Sequence, residues 1–175
     1  KAASNIQDAI SVVSAGTVWV SNGVYTTGGA TNFPAGQVRT NRVAITNAIT
    51  VRSVNNDPAN TIIVGAWATN STHCGTGAVR CVYMVAGATL IGFTLTNGAT
   101  MPYNGGALEQ MGGGVLATGD ATISNCWILG NVAGAYGGGM YYGSAYDCII
   151  DGNYANSAGG VQYGYSVVNC RISNN

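Results

Sequence analysis

The chain has 175 residues, enough for one sizeable domain. Only 7% of them are charged, 47% are hydrophobic and 27 are glycine, whereas an ordinary globular domain is roughly a quarter charged. A formal net charge of +0 leaves no electrostatic footprint for nucleic acid or an anionic membrane surface. The β-branched and aromatic content argues against disorder, and no apolar run approaches the ~18 residues of a membrane-spanning helix.

At the start, Ile6, Ala9, Ile10 and Val13 fall at helical spacing. Residues 1–16 therefore read as a capping segment, with a short amphipathic helix covering the open end of a stack of strands. Residues 17–111 read as irregular opening rungs. Strands are expected at Thr17–Val20, Val43–Ile45, Ile49–Ser53, Thr61–Val64, Val82–Val85 and Leu90–Leu95. Loops rich in Gly, Asn and Pro separate them, the longest around 26–41 and 66–80.

From 112 to 175 the chain repeats itself. GGGVLATGDATISNCWILGN, GGGMYYGSAYDCIIDGN and GGVQYGYSVVNCRISNN carry Cys126, Cys148 and Cys170 in steps of 22. Asn131, Asn153 and Asn175 keep the same step. A period near 22 with turn-forming Gly and Asn predicts an all-β fold, a parallel β-helix in which rungs stack at about 4.8 Å. Ser124–Ile128 reads as one strand, sending Cys126 and Ile128 inward and Asn125 and Trp127 outward. Stacking then predicts a core column of thiols at Cys126, Cys148 and Cys170. It also predicts a column of amides at Asn131, Asn153 and Asn175, at a turn that tolerates left-handed backbone. The glycines at 112–114, 137–139 and 159–160 mark a corner too tight for a Cβ. The first repeat holds three more residues than the later ones, expected as a bulge at Thr118-Gly119-Asp120.

Ile6-Gln7-Asp8-Ala9-Ile10, Gly16-Thr17-Val18-Trp19-Val20 and Asn22-Gly23-Val24-Tyr25 resemble the entry of the pectate-lyase-like right-handed β-helix superfamily. Thr89–Leu95 looks like one of its rungs, and the glycine-to-asparagine phrase is similar to repeats of polymorphic outer-membrane protein passengers. The resemblance implies a right-handed parallel β-helix. It leaves activity open, because lyases, hydrolases, adhesins and fibres share the scaffold. Lyases of that superfamily bind Ca²⁺ through acidic clusters, and its hydrolases pair carboxylates. The acidic inventory here is Asp8, Asp57, Glu109, Asp120, Asp147 and Asp151. Along one strand Asp147 and Asp151 would stand about 13 Å apart, too wide for the ~5–9.5 Å of glycosidase pairs. No catalytic residue, cofactor or metal site is therefore expected, and the balance leans away from an enzyme.

Cys74 and Cys81, beside His73, read as a disulfide in an oxidising setting, with free thiols and a metal site as the alternatives. Asn70-Ser71-Thr72 fits the glycosylation acceptor pattern, a weak signal. Tyr141 and Tyr163 lie one period apart and are expected to stack, as an aromatic column or a platform for a sugar ring or partner. Trp127, Leu129, Ile149 and Arg171 form an outward patch, read as an association face unless a loop covers it. The chain ends on the last residue of a repeat, Asn175, which reads as an open rung and a chain that continues or pairs beyond it. Together these features predict an extracellular or cell-surface structural or adhesive protein: a passenger, stalk or self-associating fibre subunit. The alternative is a polysaccharide-active enzyme or carbohydrate-binding module.

Overall fold

Short β-branched runs interrupted every few residues by Gly or Asn cannot sustain a helix, and they favour brief strands joined by tight corners. The computed structural model describes residues 5–104 and 107–175. Positions 1–4 of the expected capping segment and 105–106 of the expected opening rungs lie outside the described residues.

The strands assemble into four sheets, with parallel pairing throughout their ladders. The first sheet runs Thr17–Val20, Thr50–Ser53, Thr89–Ile91, Thr122–Ser124, Ser144–Tyr146, Val167–Val168. The second runs Gly23–Tyr25, Thr61–Val64, Thr94–Thr96, Trp127–Leu129, Ile149–Asp151, Arg171–Ser173. The third holds Thr40–Ile45, Val79–Met84, Val115–Ala117, Met140–Tyr141 and Val161–Gln162, and the fourth Ala99–Pro102, Val132–Tyr136 and Tyr154–Ser157. The chain passes from the first sheet to the second, then to the third, and returns to the first one strand further on. From Ala99 onward it crosses the fourth sheet on the way. The fold is all-β with little helix, and parallel sheets run through the whole chain, an arrangement compatible with a β-helix.

Register records how regular each circuit is. In the first sheet Thr17, Thr50, Thr89 and Thr122 are partners in steps of 33, 39 and 33 residues. Thr122 to Ser144 and Ala145 to Val167 are steps of 22. Between Val115 and Met140 in the third sheet the step is 25, so three extra residues fall between Ala117 and Thr122, around Thr118-Gly119-Asp120.

The inward columns form one continuous core. Val18, Val51, Leu90, Ile123 and Ala145 descend from the first sheet, and Ile63, Leu95, Ile128 and Ile150 from the second. Burying each such Ile or Leu contributes about 1.5–3 kcal/mol.

Two strands predicted as continuous are divided. Leu90–Leu95 breaks at Gly92 (φ +80°), and Ser124–Ile128 breaks at Asn125 (φ +46°). Asn125, Asp147 (φ +56°) and Asn169 (φ +53°) hold the equivalent left-handed corner in successive rungs. Asp147 therefore sits at a corner and not in a strand with Asp151. The glycine corner is close-packed, as a Cβ on Gly138 would stand 2.2 Å from Tyr154 O and 2.7 Å from Gly159 O.

At the other end a five-residue helix, Ile6–Ile10, buries Ile6 and Ile10 against the core. Asn5 caps it by accepting from Asp8 N. Gln7 Oε1 accepts from Ala44 N at 2.7 Å, and its Nε2 donates to Ala44 O at 3.3 Å. One side-chain amide thus takes the place of a neighbouring strand at the edge of the third sheet.

Candidate functional site

The sequence-predicted residues assemble as stacked columns. Asn131 and Asn153 are buried, and each passes its side-chain amide to the next rung. Asn131 Nδ2 donates to Asn153 Oδ1 at 3.0 Å, and Asn153 Nδ2 to Asn175 Oδ1 at 2.9 Å. The same oxygens accept the backbone N–H of Asn131 (3.0 Å) and Asn153 (2.9 Å). The nitrogens also donate to Leu95 O, Ile128 O and Ile150 O. The left-handed residue is not the amide column itself but its predecessor: Gly130 (φ +60°), Gly152 (φ +62°) and Asn174 (φ +54°).

Cys126 and Cys148 are buried and Cys170 half-buried, all as free thiols. Phe93 N donates to Cys126 Sγ and Cys148 N to Cys170 Sγ. Burial pushes the Cys126 thiol up to about 12, so it behaves as an apolar side chain.

The expected bridge between Cys74 and Cys81 is absent, for both are free thiols in different surroundings. Cys74 Sγ lies 4.0 Å from Thr100 Oγ1, whereas Cys81 Sγ donates to Thr96 O and Asn131 Oδ1. The loop between them folds back on itself, since Ala66 and Val79 exchange backbone hydrogen bonds and Gly75 N donates to Thr100 O. That return carries Cys74 toward the fourth sheet while Cys81 stays in the third.

The tyrosine pairing also differs. Tyr141 pairs with Gln162, a step of 21, because the step falls from 22 at Ala133 to 21 at Tyr136 and returns to 22 only at Ala145. Tyr163 therefore stacks on Tyr142, 5.5 Å between ring centroids, and meets Tyr141 edge-on. Trp127, Ile149 and Arg171 are register partners on the outer face of the second sheet, with Leu129 beside them. Trp127, Leu129 and Ile149 are half-buried and Arg171 is exposed.

A groove over the fourth sheet is not legible in the sequence. Its volume is about 370 Å³. Gly134 forms the floor, where a Cβ would stand 2.1 Å from Met101 O. Exposed Tyr103 and Tyr154 form walls, and the loop carrying His73 closes one side. His73 takes left-handed backbone (φ +60°) and stacks on Trp67, ring centroids 4.2 Å apart. Burial pushes the neighbouring Cys74 thiol up. No nucleophilic Cys–His couple is formed, because the imidazole is turned to Trp67 and the thiol to Thr100. Asn70 of the acceptor triplet donates through Nδ2 to Cys74 O at 2.6 Å, inside the same loop.

The carboxylates are engaged one by one. Asp8 accepts from Asn5 Nδ2, Asp57 from Ala59 N, and Glu109 from Val38 N. Asp120 accepts from Gly87 N, Asp147 from Asn169 Nδ2, and Asp151 from Ser173 Oγ and Asn174 Nδ2. Each ties a turn, a loop or two rungs together, and no acidic residue lines the groove. No cluster of three metal-ligating side chains occurs among the described residues.

No protein-family model, curated protein or solved structure matches the chain.

Proposed function

We propose that the protein is a structural or adhesive right-handed parallel β-helix of an extracellular or cell-surface setting, working as a passenger, stalk or self-associating fibre subunit. The observation that carries this reading is the use of the six carboxylates, each held in a hydrogen bond that fastens the scaffold. Acid–base chemistry on a polysaccharide needs two convergent carboxylates, or one beside a metal. The stacked amide column adds to the same picture, since it fixes register from rung to rung.

The measurement that tests it is negative-stain electron microscopy of native material together with mass in solution. Ordered filaments or bundles are the expected result, and dispersed particles of one-chain mass would overturn the fibre role. Serine at both Trp127 and Ile149 should weaken assembly while leaving the fold intact. Assembly that survives this double substitution removes that face from the proposal.

A second reading, a carbohydrate-binding module, is favoured by the groove walled by Tyr103 and Tyr154, because exposed tyrosine rings offer an apolar face and a polar tip. It predicts saturable retention on a polysaccharide, lost in Tyr154→Ala, without release of uronate product in the presence or absence of Ca²⁺.

A further inference from the structure

Four tyrosines gather where the last two circuits leave the third sheet, at the ends of Met140–Tyr141 and Val161–Gln162. Tyr142 is their centre. Its ring centroid lies 4.8 Å from that of Tyr141, 5.5 Å from Tyr163 and 6.0 Å from Tyr165.

Two observations set this group apart from ordinary packing. Tyr163 and Tyr165 leave 59% and 58% of their surface in water, so burial does not account for them. Tyr142 (φ +60°) and Tyr163 (φ +55°) also hold left-handed backbone. The other described non-glycine residues in that region are Asn, Asp, His73 and Ala158. Asn and Asp offset the cost through short local hydrogen bonds, which a bulky ring cannot make. Strain of this kind gathers at functional sites. Here the two strained corners have one product in common, a nearly parallel pair of phenols with 26° between their planes.

We propose that Tyr142 and Tyr163 form an oxidative modification site, joined to each other as a dityrosine by hydrogen peroxide and a peroxidase. Exposed Tyr163 meets the oxidant first and loses one electron from its ring and one proton from its hydroxyl. Tyr142, in contact with it, returns an electron and a proton, so the radical moves inward. A second oxidation of Tyr163 then gives the radical pair. One Cε of each ring forms a carbon–carbon bond, and the hydrogen on each of those carbons moves to its phenolic oxygen, restoring both hydroxyls. The two electrons and two protons reduce one peroxide, whose O–O bond breaks to give two waters.

Tyr141 is a poor competitor, since its ring is buried, stands edge-on to Tyr142 at 86°, and has its hydroxyl held above the ordinary range by burial. Tyr165 is further away and tilted by 34°. The link ties the last two circuits together and narrows the unfolded ensemble, as other cross-links do. The site stands independently of the adhesive role.

The test is treatment of the dilute full chain with hydrogen peroxide and a haem peroxidase, read by dityrosine fluorescence, intact mass and peptide mapping. The expected product is a one-chain species lighter by two hydrogens, its link mapped between Tyr142 and Tyr163. Tyr142→Phe and Tyr163→Phe each keep a ring at the stack but remove the phenol, and each should lose that product. Tyr165→Phe should retain it. The same oxidation in urea should lose the preference for this pair, because the fold is what brings the rings together. The proposal is overturned by the absence of a one-chain link, by a link mapped to other tyrosines, by an undiminished one-chain product in Tyr142→Phe or Tyr163→Phe, by its loss in Tyr165→Phe, or by an equal yield of this pair from the unfolded chain.

Discussion

Residues 17–111 and 112–175 build the same layers by opposite means. The second region repeats one solution: the amide at 131 recurs at 153 and 175, and each copy satisfies the next. The first region interrupts its circuits with long loops and anchors them with single-use groups. Four of the six Lys and Arg residues lie there. Arg42 Nε donates to Val64 O and its Nη1 to Gly28 O, Arg39 reaches Gly75 O, and Arg80 gathers Leu108, Met111 and Gly112. A regular rung needs only small polar side chains, because the neighbour above supplies the partner. A loop has no such neighbour, and its carbonyls demand a long, multiply donating side chain.

The contrast breaks hardest at Arg80. Arg80→Met should cost about 4 kcal/mol in denaturant unfolding, since several enclosed carbonyls lose their donor together. A loss under about 1 kcal/mol would mean that the loop carbonyls reach water instead. In the repeat region Asn153→Ala removes an acceptor for two donors and a donor for Ile128 O and Asn175 Oδ1. The expected loss is about 3 kcal/mol, from orphaned buried groups and the cavity left behind. Two glycines then separate close packing from backbone conformation. Gly138→Ala presses a Cβ against Tyr154 O and should cost about 2–3 kcal/mol. Gly130→Ala, left-handed but with open space around it, should cost about 1 kcal/mol.

Thiol counting compares the regions chemically. Under denaturing, non-reducing conditions five free thiols are expected; three would restore the bridge between Cys74 and Cys81. In the native state Cys126 and Cys81, both pushed up to about 12 by burial, should resist alkylation at mildly alkaline pH.

The smallest effect concerns Asp151. Hydrogen bonds from Ser173 and Asn174 hold its carboxyl below the ordinary 3.8. A lowered folded-state value stabilises the fold above the unfolded value, and that contribution fades as pH falls through the folded one. Asp151→Asn should flatten this acid-side dependence in pH-resolved unfolding and lower neutral stability slightly, by the contribution the carboxylate had supplied.

How far these features are legible in the sequence depends on how local their cause is. The 22-residue step, the inward Ile128 and Ile150 and the crowded glycines can all be read, because stacking makes register follow from repetition. The corner at Asn125 escapes such a reading, since an apolar–polar alternation looks the same whether the strand continues or turns through a left-handed residue. Counting from the cysteines pairs Tyr163 with Tyr141, because a count cannot see that register slips by one residue between Ala133 and Tyr136 and recovers by Ala145. Arg80 lies in the apolar run Val79–Met84, and that placement is the available signal for a buried cation.

The sequence alone thus determined parallel stacking in 112–175, because a side chain that recurs every rung meets its own copy. Only the tertiary structure decided the rest. The separation of Cys74 from Cys81 and the groove beneath His73 both depend on where long loops land. Those landing points are set by contacts between residues far apart in the chain, and no local pattern of residue types encodes them.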